Sequence, residues 1–380
     1  MTVHRILMTA DSLGGVWDYA LELAAGLTPH GITVDLAVMG PPPGPHQRVA
    51  AATVPGLVLH EGTFRLEWMP DCEGDLAHAA DWLLELEQRV RPDVVHANGY
   101  AEAALPFAAP VLLVAHSDVA TWWRAVHGSD PPAEWTAYRH RVAAGLAAAA
   151  QVVAPTRAYL DAVSAAYGAP ARSNVIHNGR SARLWRPLDK EPFVLAVGRL
   201  WDEGKNTAAL SRVAGSLDWP VVVAGPWQGP DGRGRPPEGL RCLGRLAPAE
   251  LAQWFGRAAV FAHPARYEPF GLSVLEAALS GCALVLGDIP TLRELWQGAA
   301  LFVPPDDSDA LRETLAGLGE DPEAVSALSK AARHRAANYP AALSAAAYAH
   351  AYGRLHAGAD ASAARHVATA GILPEVQPGT

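Results

Sequence analysis

The chain has 380 residues, half of them hydrophobic and 18% charged, which is typical of a globular protein with more than one core. A formal net charge of −9 argues against a nucleic-acid-binding protein, which would normally present a basic face. Cys72, Cys242 and Cys282 lack metal-type spacing and are too few for a disulfide framework. We find no signal peptide and no apolar run of the roughly 18 residues that a membrane span needs. We therefore expect a cytoplasmic protein, for which peripheral contact with a membrane stays open.

The N-terminal half alternates short β-branched runs with Ala/Leu-rich helical stretches, which is the βαβ pattern of a parallel sheet. In chain order the predicted strands are R-I-L-M-T, T-V-D-L-A-V-M, D-V-V-H-A, V-L-L-V-A and Q-V-V-A-P. Gly14 and Gly15 follow the first strand, where it passes into a helix. Without β-carbons they either let a ligand approach the backbone closely or form a tight turn that needs positive φ.

Two histidines end strands of this half. A histidine in that position can hydrogen-bond a substrate, although a single one is more often a structural residue with its hydrogen bonds satisfied inside the protein. His96 ends D-V-V-H-A and His116 ends V-L-L-V-A, and His116 is the better candidate because a serine and an aspartate follow it. The segment after it contains Trp122 and Trp123, two of the chain's 12 tryptophans. Tryptophans at such sites either pack in a core or stack on sugar rings.

A polar, basic connection at residues 178–192 is predicted to be a linker, and the alternation restarts after it. The further strands are F-V-L-A-V-G, P-V-V-V-A-G, A-V-F-A-H, A-L-V-L-G and A-L-F-V-P. The fold class is therefore α/β, with two doubly wound parallel-sheet domains whose active site lies in the cleft between them. Arg199 and Lys205 follow the first of these strands, and two cations there could neutralise a diphosphate, although an ordinary charged loop is the alternative.

The stretch R-Y-E-P-F-G-L-S-V-L-E, residues 266–276, is the most informative in the chain. It places Glu268 in a loop after a buried strand and Glu276 about a turn and a half into the following helix. Both acids then lie beside a helix N-terminus, whose free N–H groups favour an anion. A sugar nucleotide, an anion that carries hydroxyls, suits this arrangement. No metal is expected, because Cys/His clusters are missing from the sequence and the acidic run at 306–309 is better explained as a helix N-cap.

Taken together, these residues resemble the retaining glycosyltransferases of family 4, which have the GT-B architecture of two Rossmann-like domains facing a cleft. The resemblance extends to about residue 356. Its strongest mark is E-P-F-G-L-S-V-L-E, which matches the E-x7-E motif of that family. G-G-V, D-V-V-H-A-N, V-A-H-S-D, V-I-H-N-G and V-G-R-L occur in the expected order. Arg180 is a departure, because the linker motif normally reads N-G-V; it adds either a phosphate or acceptor contact or only a surface charge.

The resemblance implies a role for each candidate on the C-terminal side of the cleft. Glu276 would hold the ribose hydroxyls, Glu268 would face the transferred sugar, and Arg199 and Lys205 would bind the diphosphate. Glu268 would act in catalysis, and Glu276 would act in donor binding. Arg199 and Lys205 would act in both. The backbone groups of Phe270, Gly271 and Leu272 would complete the contacts to the sugar and the phosphates. The loop at 242–248, with Leu243, Gly244 and Arg245, would lie near the base.

On the N-terminal side, the resemblance implies that Gly15 offers its backbone N–H and that His116 contacts the donor sugar near the reaction centre. Trp122 and Trp123 would face the acceptor. The expected domains are an N-terminal domain at 1–185, joined by a crossover helix at 340–356, and a nucleotide-sugar-binding domain at 186–339. Residues 357–380 are expected to form a disordered tail.

The implied activity is a hexosyltransferase-type transfer of a sugar from a nucleoside diphosphate sugar to a hydroxyl acceptor, with retention. The co-substrate would be UDP- or GDP-linked, and no cofactor is expected. A nucleotide-sugar 2-epimerase shares this fold but needs residues that eliminate and re-add the nucleotide, and the E-x7-E context favours the transferase. A non-catalytic sugar-nucleotide-binding protein is the third alternative.

Overall fold

The computed structural model describes residues 2–229 and 232–370. In these ranges the chain forms two parallel β-sheets with helices on both faces of each. The strands of the N-terminal sheet are β1 (Arg5–Asp11), β2 (Thr33–Met39), β3 (Leu57–Glu61), β4 (Val94–Ala97), β5 (Val111–Val114), β6 (Gln151–Ala154) and β7 (Ser173–Val175). Their spatial order is β3-β2-β1-β4-β5-β6-β7, so the order reverses between β1 and β4 and opens a crevice at the carboxyl ends of the strands.

Helices cover both faces of this sheet, which explains its continuous apolar strands. They are α1 (Gly15–Leu27), α2 (Pro45–Ala52), α3 (Glu73–Val90), α4 (Tyr100–Ala103), α5 (Val119–His127), α6 (Thr136–Ala148) and α7 (Arg157–Tyr167). Successive side chains of β1 point to opposite faces, so Ile6 packs in one core cluster and Leu7 in the other. In the sheet Ile6 is aligned with both Val34 and Val94.

The C-terminal sheet repeats this plan. Its strands are β8 (Glu191–Val197), β9 (Val221–Ala224), β10 (Arg241–Cys242), β11 (Ala258–His263), β12 (Ala283–Gly287) and β13 (Leu301–Val303), in the order β10-β9-β8-β11-β12-β13. The helices are α8 (Thr207–Ala214), α9 (Pro248–Arg257), α10 (Leu272–Leu279), α11 (Pro290–Trp296), α12 (Ser308–Glu320) and α13 (Pro322–Ala336). Asp307 caps α12 by accepting the Ala310 N–H at 2.9 Å, as the acidic run at 306–309 predicted.

The last helix, α14 (Ala341–Ala370), returns to the N-terminal domain. Its Tyr348 and Tyr352 are fully buried in the same core cluster as α1 and β1. The helix runs past the expected end at residue 356 into the segment for which the sequence predicted a disordered tail, and its alanine-rich composition favours helix there. Residues 371–380 of that tail lie outside the described residues.

The chain passes between the domains twice, once in the linker near Arg180 and once before α14 near Pro340, and these two segments run side by side. The Arg180 N–H donates to the Tyr339 carbonyl at 3.0 Å, and Arg180 and Pro340 form an isolated parallel bridge. A β-carbon at Gly179 would lie 2.5 Å from the Pro340 carbonyl oxygen, so this close approach requires glycine. The glycine of the linker's N-G pair is therefore explained by the close approach of the two connections between the domains.

The predicted fold class, α/β with two doubly wound parallel sheets, is confirmed. Each strand predicted from the sequence is present. The prediction omitted β3, β7 and β10, all of them edge strands in the described sheets. These strands are short or partly exposed, so they lack the continuous apolar run that marks a central strand of a parallel sheet.

Candidate functional site

The carboxyl end of β11 leads into the acidic pair singled out by the sequence. Glu268 lies in the loop after β11 and Glu276 is the fifth residue of α10, so their predicted placement is confirmed. Gly271 precedes the helix with φ +88°, a left-handed conformation that favours glycine. Its carbonyl accepts the N–H groups of Val274 and Leu275, both at 3.1 Å, which closes the first turn. The glycine therefore sets the angle at which loop and helix face the cleft.

Glu268 is held by two nitrogen donors. Its Oε2 accepts from Lys205 Nζ at 2.8 Å and from His263 Nε2 at 3.0 Å. Burial would raise the pKa of this carboxyl, but Lys205 and His263 outweigh burial and hold the pKa well below its usual range. Glu268 is therefore an ionised, fixed acceptor rather than a proton donor.

Glu276 is buried against Arg180 from the linker. Arg180 Nη2 lies 2.7 Å from Glu276 Oε1, and Arg180 Nη1 lies 3.2 Å from Glu22 of α1. Burial raises the pKa of Glu276 to about 7; Arg180 lowers it, while nearby Asp18 and Glu22 raise it. Of the roles left open for Arg180, a mere surface charge is wrong, because only 11% of its side chain is exposed and it joins α1 to α10.

Arg199 pairs with an acid that the sequence analysis did not single out. Its Nη2 donates to Asp202 Oδ2 at 2.8 Å, and its guanidinium lies 5.5 Å from the ring centroid of Trp201. Asp202 Oδ1 accepts from Trp122 Nε1 at 2.9 Å, which connects the two domains. Burial raises the pKa of Asp202, but Arg199 and Lys205 outweigh it, so the pKa is lowered. Both cations thus favour the ionised form of this carboxylate.

Gly14 and Gly15 face the second domain from the start of α1. Neither has positive φ, so the tight-turn explanation for this pair is wrong. The N–H groups of Leu13 and Gly14 donate to Asp11 Oδ1 at 2.8 and 2.9 Å, which holds the loop open. Gly15 is exposed, and a β-carbon there would lie 3.8 Å from Leu272 Cδ1 of α10. The N-termini of α1 and α10 therefore face each other across the cleft.

His116 is neutral and has a fixed tautomer. Asn98 donates through Nδ2 to the Thr9 carbonyl at 2.6 Å, so its Oδ1 must accept from His116 Nε2 at 2.7 Å. Burial lowers the pKa of His116 to about 3. The Nδ1 atom is then a hydrogen-bond acceptor at neutral pH. His96 lies deeper, with its Nδ1 2.6 Å from the hydroxyl of Tyr352 in α14, and is a core residue.

A cavity of about 390 Å³ opens beside His116 and Arg199. We call it the aromatic cavity, because eight of its lining side chains are tryptophan or tyrosine: Trp68, Tyr100, Trp122, Trp123, Trp135, Tyr138, Trp201 and Tyr267. Trp122 and Trp123 meet edge to face with their ring centroids 5.8 Å apart. The two acceptor-side candidates therefore line a cavity together with His116 and Arg199, whereas Glu268 and Lys205 are not part of its lining.

The remaining candidates lie where backbone contacts are favoured. The Phe270 side chain is buried in a core cluster of the C-terminal domain, so only its backbone groups can contact a ligand in the cleft. Leu243, Gly244 and Arg245 follow β10, with Gly244 at φ +70° and its carbonyl accepting the Gly225 N–H at 2.8 Å. Burial raises the pKa of Asp18 in α1, and Arg180 and Arg245 oppose that rise, so this loop faces α1 across the cleft.

Four residues of the site were not predicted from the sequence: Asp11, Asp202, His263 and Glu22. Asp11 and His263 end the strands β1 and β11, which is the same signal that pointed to His116. Asp202 and Glu22 carried no such signal. In the described ranges we find no group of three His, Cys, Asp or Glu side chains arranged to hold a metal ion. None of the helices in those ranges is both long and apolar enough to cross a bilayer.

Two family models match the chain one after the other. The model described as Glycosyltransferase Family 4 matches residues 13–183, and the model described as Glycosyl transferases group 1 matches residues 183–335. The junction lies in the linker. D-inositol 3-phosphate glycosyltransferase 1 of Catenulispora acidiphila is 27% identical over an alignment that covers 86% of this chain and 87% of that protein.

Solved structures share the fold. Sucrose-phosphate synthase from Thermosynechococcus elongatus superposes with a TM-score of 0.77 at 19% identity, covering 93% of this chain and all of that one. Anabaena HepE in complex with UDP-glucose gives a TM-score of 0.69 at 17% identity, covering 94% and 99%. At these identities the two superpositions establish the fold alone.

Proposed function

The chain belongs to glycosyltransferase family 4 and has the GT-B fold, and we propose that it transfers a sugar from a nucleoside diphosphate sugar to a hydroxyl acceptor. Retention at the anomeric carbon and independence of a metal ion are part of this proposal, as is a cytoplasmic location. The observation that carries it is the pair Glu268 and Glu276 at the mouth of the cleft, beside the N-terminus of α10 and opposite that of α1.

The cations near this pair have spare donors for a diphosphate. An ammonium group has three N–H bonds and a guanidinium has five. Lys205 uses one bond on Glu268, and Arg199 uses one on Asp202. Their remaining donors, with the free N–H groups at the start of α10, would bind the phosphates and stabilise the charge that grows on the leaving group. No step in this scheme requires a metal ion.

The protonation states favour attack from the face that the diphosphate leaves. His116, with a pKa of about 3, is a poor base at neutral pH and would instead accept a hydrogen bond from a donor-sugar hydroxyl through Nδ1. Glu268 is bound by Lys205 and His263, which suits it to orient the sugar rather than to form a covalent bond. The leaving phosphate would then take the proton of the acceptor hydroxyl, and the anomeric configuration would be retained.

UDP-glucose is the first donor to test, because HepE, which shares the fold, was solved with it. GDP-linked sugars are the second set. The acceptor of the relative from Catenulispora acidiphila is, by its name, an inositol phosphate. That compound belongs in the first acceptor panel.

The test is a thermal-shift screen over nucleoside diphosphates and their sugars, followed by NMR of each stabilising donor with the protein. A bound donor raises the melting temperature by mass action, by an amount that grows with its concentration over Kd. We expect one nucleotide series to stabilise the protein and its sugar to be released or transferred. Conversion of the donor to its C2 epimer would instead establish a 2-epimerase, and tight binding without turnover on a broad acceptor panel would indicate a binding protein.

A further inference from the structure

We propose that the aromatic cavity binds the acceptor as a neutral, hydroxylated ring that carries no phosphate, such as a free sugar or cyclitol. The proposal rests on the proposed glycosyl transfer, and it adds the charge class of the acceptor. It follows from three properties of the cavity: its flat apolar walls, the sign of its charges, and the polar atoms that face a ligand.

The walls suit a ring. Trp122 and Trp123 project from α5, and Trp201 comes from the second domain, so both sides of the cleft supply an indole. The Trp122 indole is fixed by its bond to Asp202 and therefore offers a preorganised surface. A cavity of about 390 Å³ falls within the usual range for a small ligand. The C–H faces of a sugar or cyclitol can pack on such rings without leaving a polar group unpaired.

The charges disfavour an anion. Of the side chains described along the wall, five are carboxyl groups (Asp11, Glu67, Glu102, Asp118 and Asp202) and one, Arg199, is a cation. Arg199 is already bound to one of these acids at 2.8 Å. Burial and the charge of a neighbouring glutamate raise the pKa of Glu102 to about 8, so this carboxyl is mostly neutral at pH 7. Burial also raises the pKa values of Asp11 and Glu67, although backbone N–H groups oppose that rise at both carboxyls. Acidic side chains still outnumber the one cation along the wall, so a phosphate would enter the cavity against like charges.

The polar atoms suit hydroxyl groups. A protonated Glu102 can both donate and accept, and its Oε2 already lies 3.1 Å from the Thr9 hydroxyl. Trp135, which also lines the cavity, has a buried Nε1 that makes no hydrogen bond. Hydroxyl groups act as both donors and acceptors and can satisfy these atoms together. A phosphate accepts only, and would leave the carboxylates facing it unsatisfied.

The experiment compares matched probes that differ by one phosphate: myo-inositol with myo-inositol 3-phosphate, and glucose with glucose 6-phosphate. Binding is measured by saturation-transfer NMR titration, with and without saturating UDP. We expect the free ring of at least one pair to bind about tenfold more tightly than its phosphate. Trp123→Ala should weaken that binding about fivefold, while Trp219→Phe, far from the cavity, should leave it unchanged. Asp11→Asn should reduce the ratio between the Kd of the phosphate and the Kd of the free ring, because it removes one acidic side chain from the cavity wall.

Equal or tighter binding of the phosphates overturns the proposal, and so does failure of every free ring to bind at tens of millimolar. UDP binding in the same samples separates this result from the proposed function. If UDP stabilises the protein while the phosphates bind better, only the acceptor class is wrong. If free rings bind in the cavity but no nucleotide binds, the donor assignment is wrong and the cavity assignment stands.

Discussion

The two walls of the cleft satisfy their charged groups in different ways. On the second-domain wall each candidate cation is paired with a carboxylate, Lys205 with Glu268 and Arg199 with Asp202. On the first-domain wall Asp118 is held by neutral donors, among them the hydroxyls of Tyr159 and Tyr167 and a backbone N–H. The paired cations have further N–H groups that can donate hydrogen bonds to an incoming diphosphate. A carboxylate held by neutral donors has no cation to offset its negative charge. The first arrangement suits an anionic donor and the second an uncharged acceptor.

The largest effect is expected from removing the Lys205 ammonium group from the second-domain wall. Lys205→Ala should lower kcat/KM for the donor about 10²–10³-fold, because the growing charge on the diphosphate loses a preorganised partner. Sugar-nucleotide turnover gives the measurement. Lys330→Ala, on the exposed face of α13, is the matched control and should be silent. A variant at position 205 with normal turnover would refute the role of this cation.

The acid of α10 is the next target. Glu276→Ala should raise the Kd of the nucleoside diphosphate about 10- to 100-fold, because the proposed hydrogen bonds from the ribose to this buried carboxylate would be lost. Glu22→Gln serves as the control, since it removes the other carboxylate that pairs with Arg180 but leaves the ribose contact intact. Calorimetric titration of both variants with the diphosphate separates the two effects. Equal losses would mean that the ion cluster, rather than Glu276, holds the nucleotide.

Arg180 should control how donor affinity depends on pH, because it lowers the pKa of Glu276. With a pKa of about 7, Glu276 is protonated below and ionised above that pH, so donor affinity should rise severalfold between pH 6 and pH 8. Arg180 lowers this pKa, and Arg180→Met should therefore move the midpoint to higher pH. Arg180→Lys should partly restore it. Diphosphate Kd values measured across this range provide the test, and an unchanged midpoint would contradict the coupling.

The sequence predicted the fold class and the central strands because buried parallel strands are continuous apolar runs. It also placed Glu268 and Glu276, since the buried strand before them and the helical spacing after them are local signals. The ion pairs could not be predicted, because Arg180, Glu22 and Glu276 are far apart in the chain and meet only when the two domains pack. The same applies to the bond between Trp122 and Asp202.

The smallest expected effect concerns a contact that joins the two walls. The Tyr267 hydroxyl, from the loop after β11, lies 3.2 Å from the Asp118 N–H and 3.0 Å from the Thr121 hydroxyl at the start of α5. Tyr267→Phe leaves that buried N–H without this acceptor while preserving the ring, at a cost of about 1 kcal/mol. In a chain of this size the melting temperature should fall by about 2 °C. Because the hydroxyl contacts no proposed donor group, donor Kd should stay within about twofold, a difference of less than 0.5 kcal/mol. A large loss of donor affinity with unchanged stability would show instead that this contact sets the geometry of the donor site.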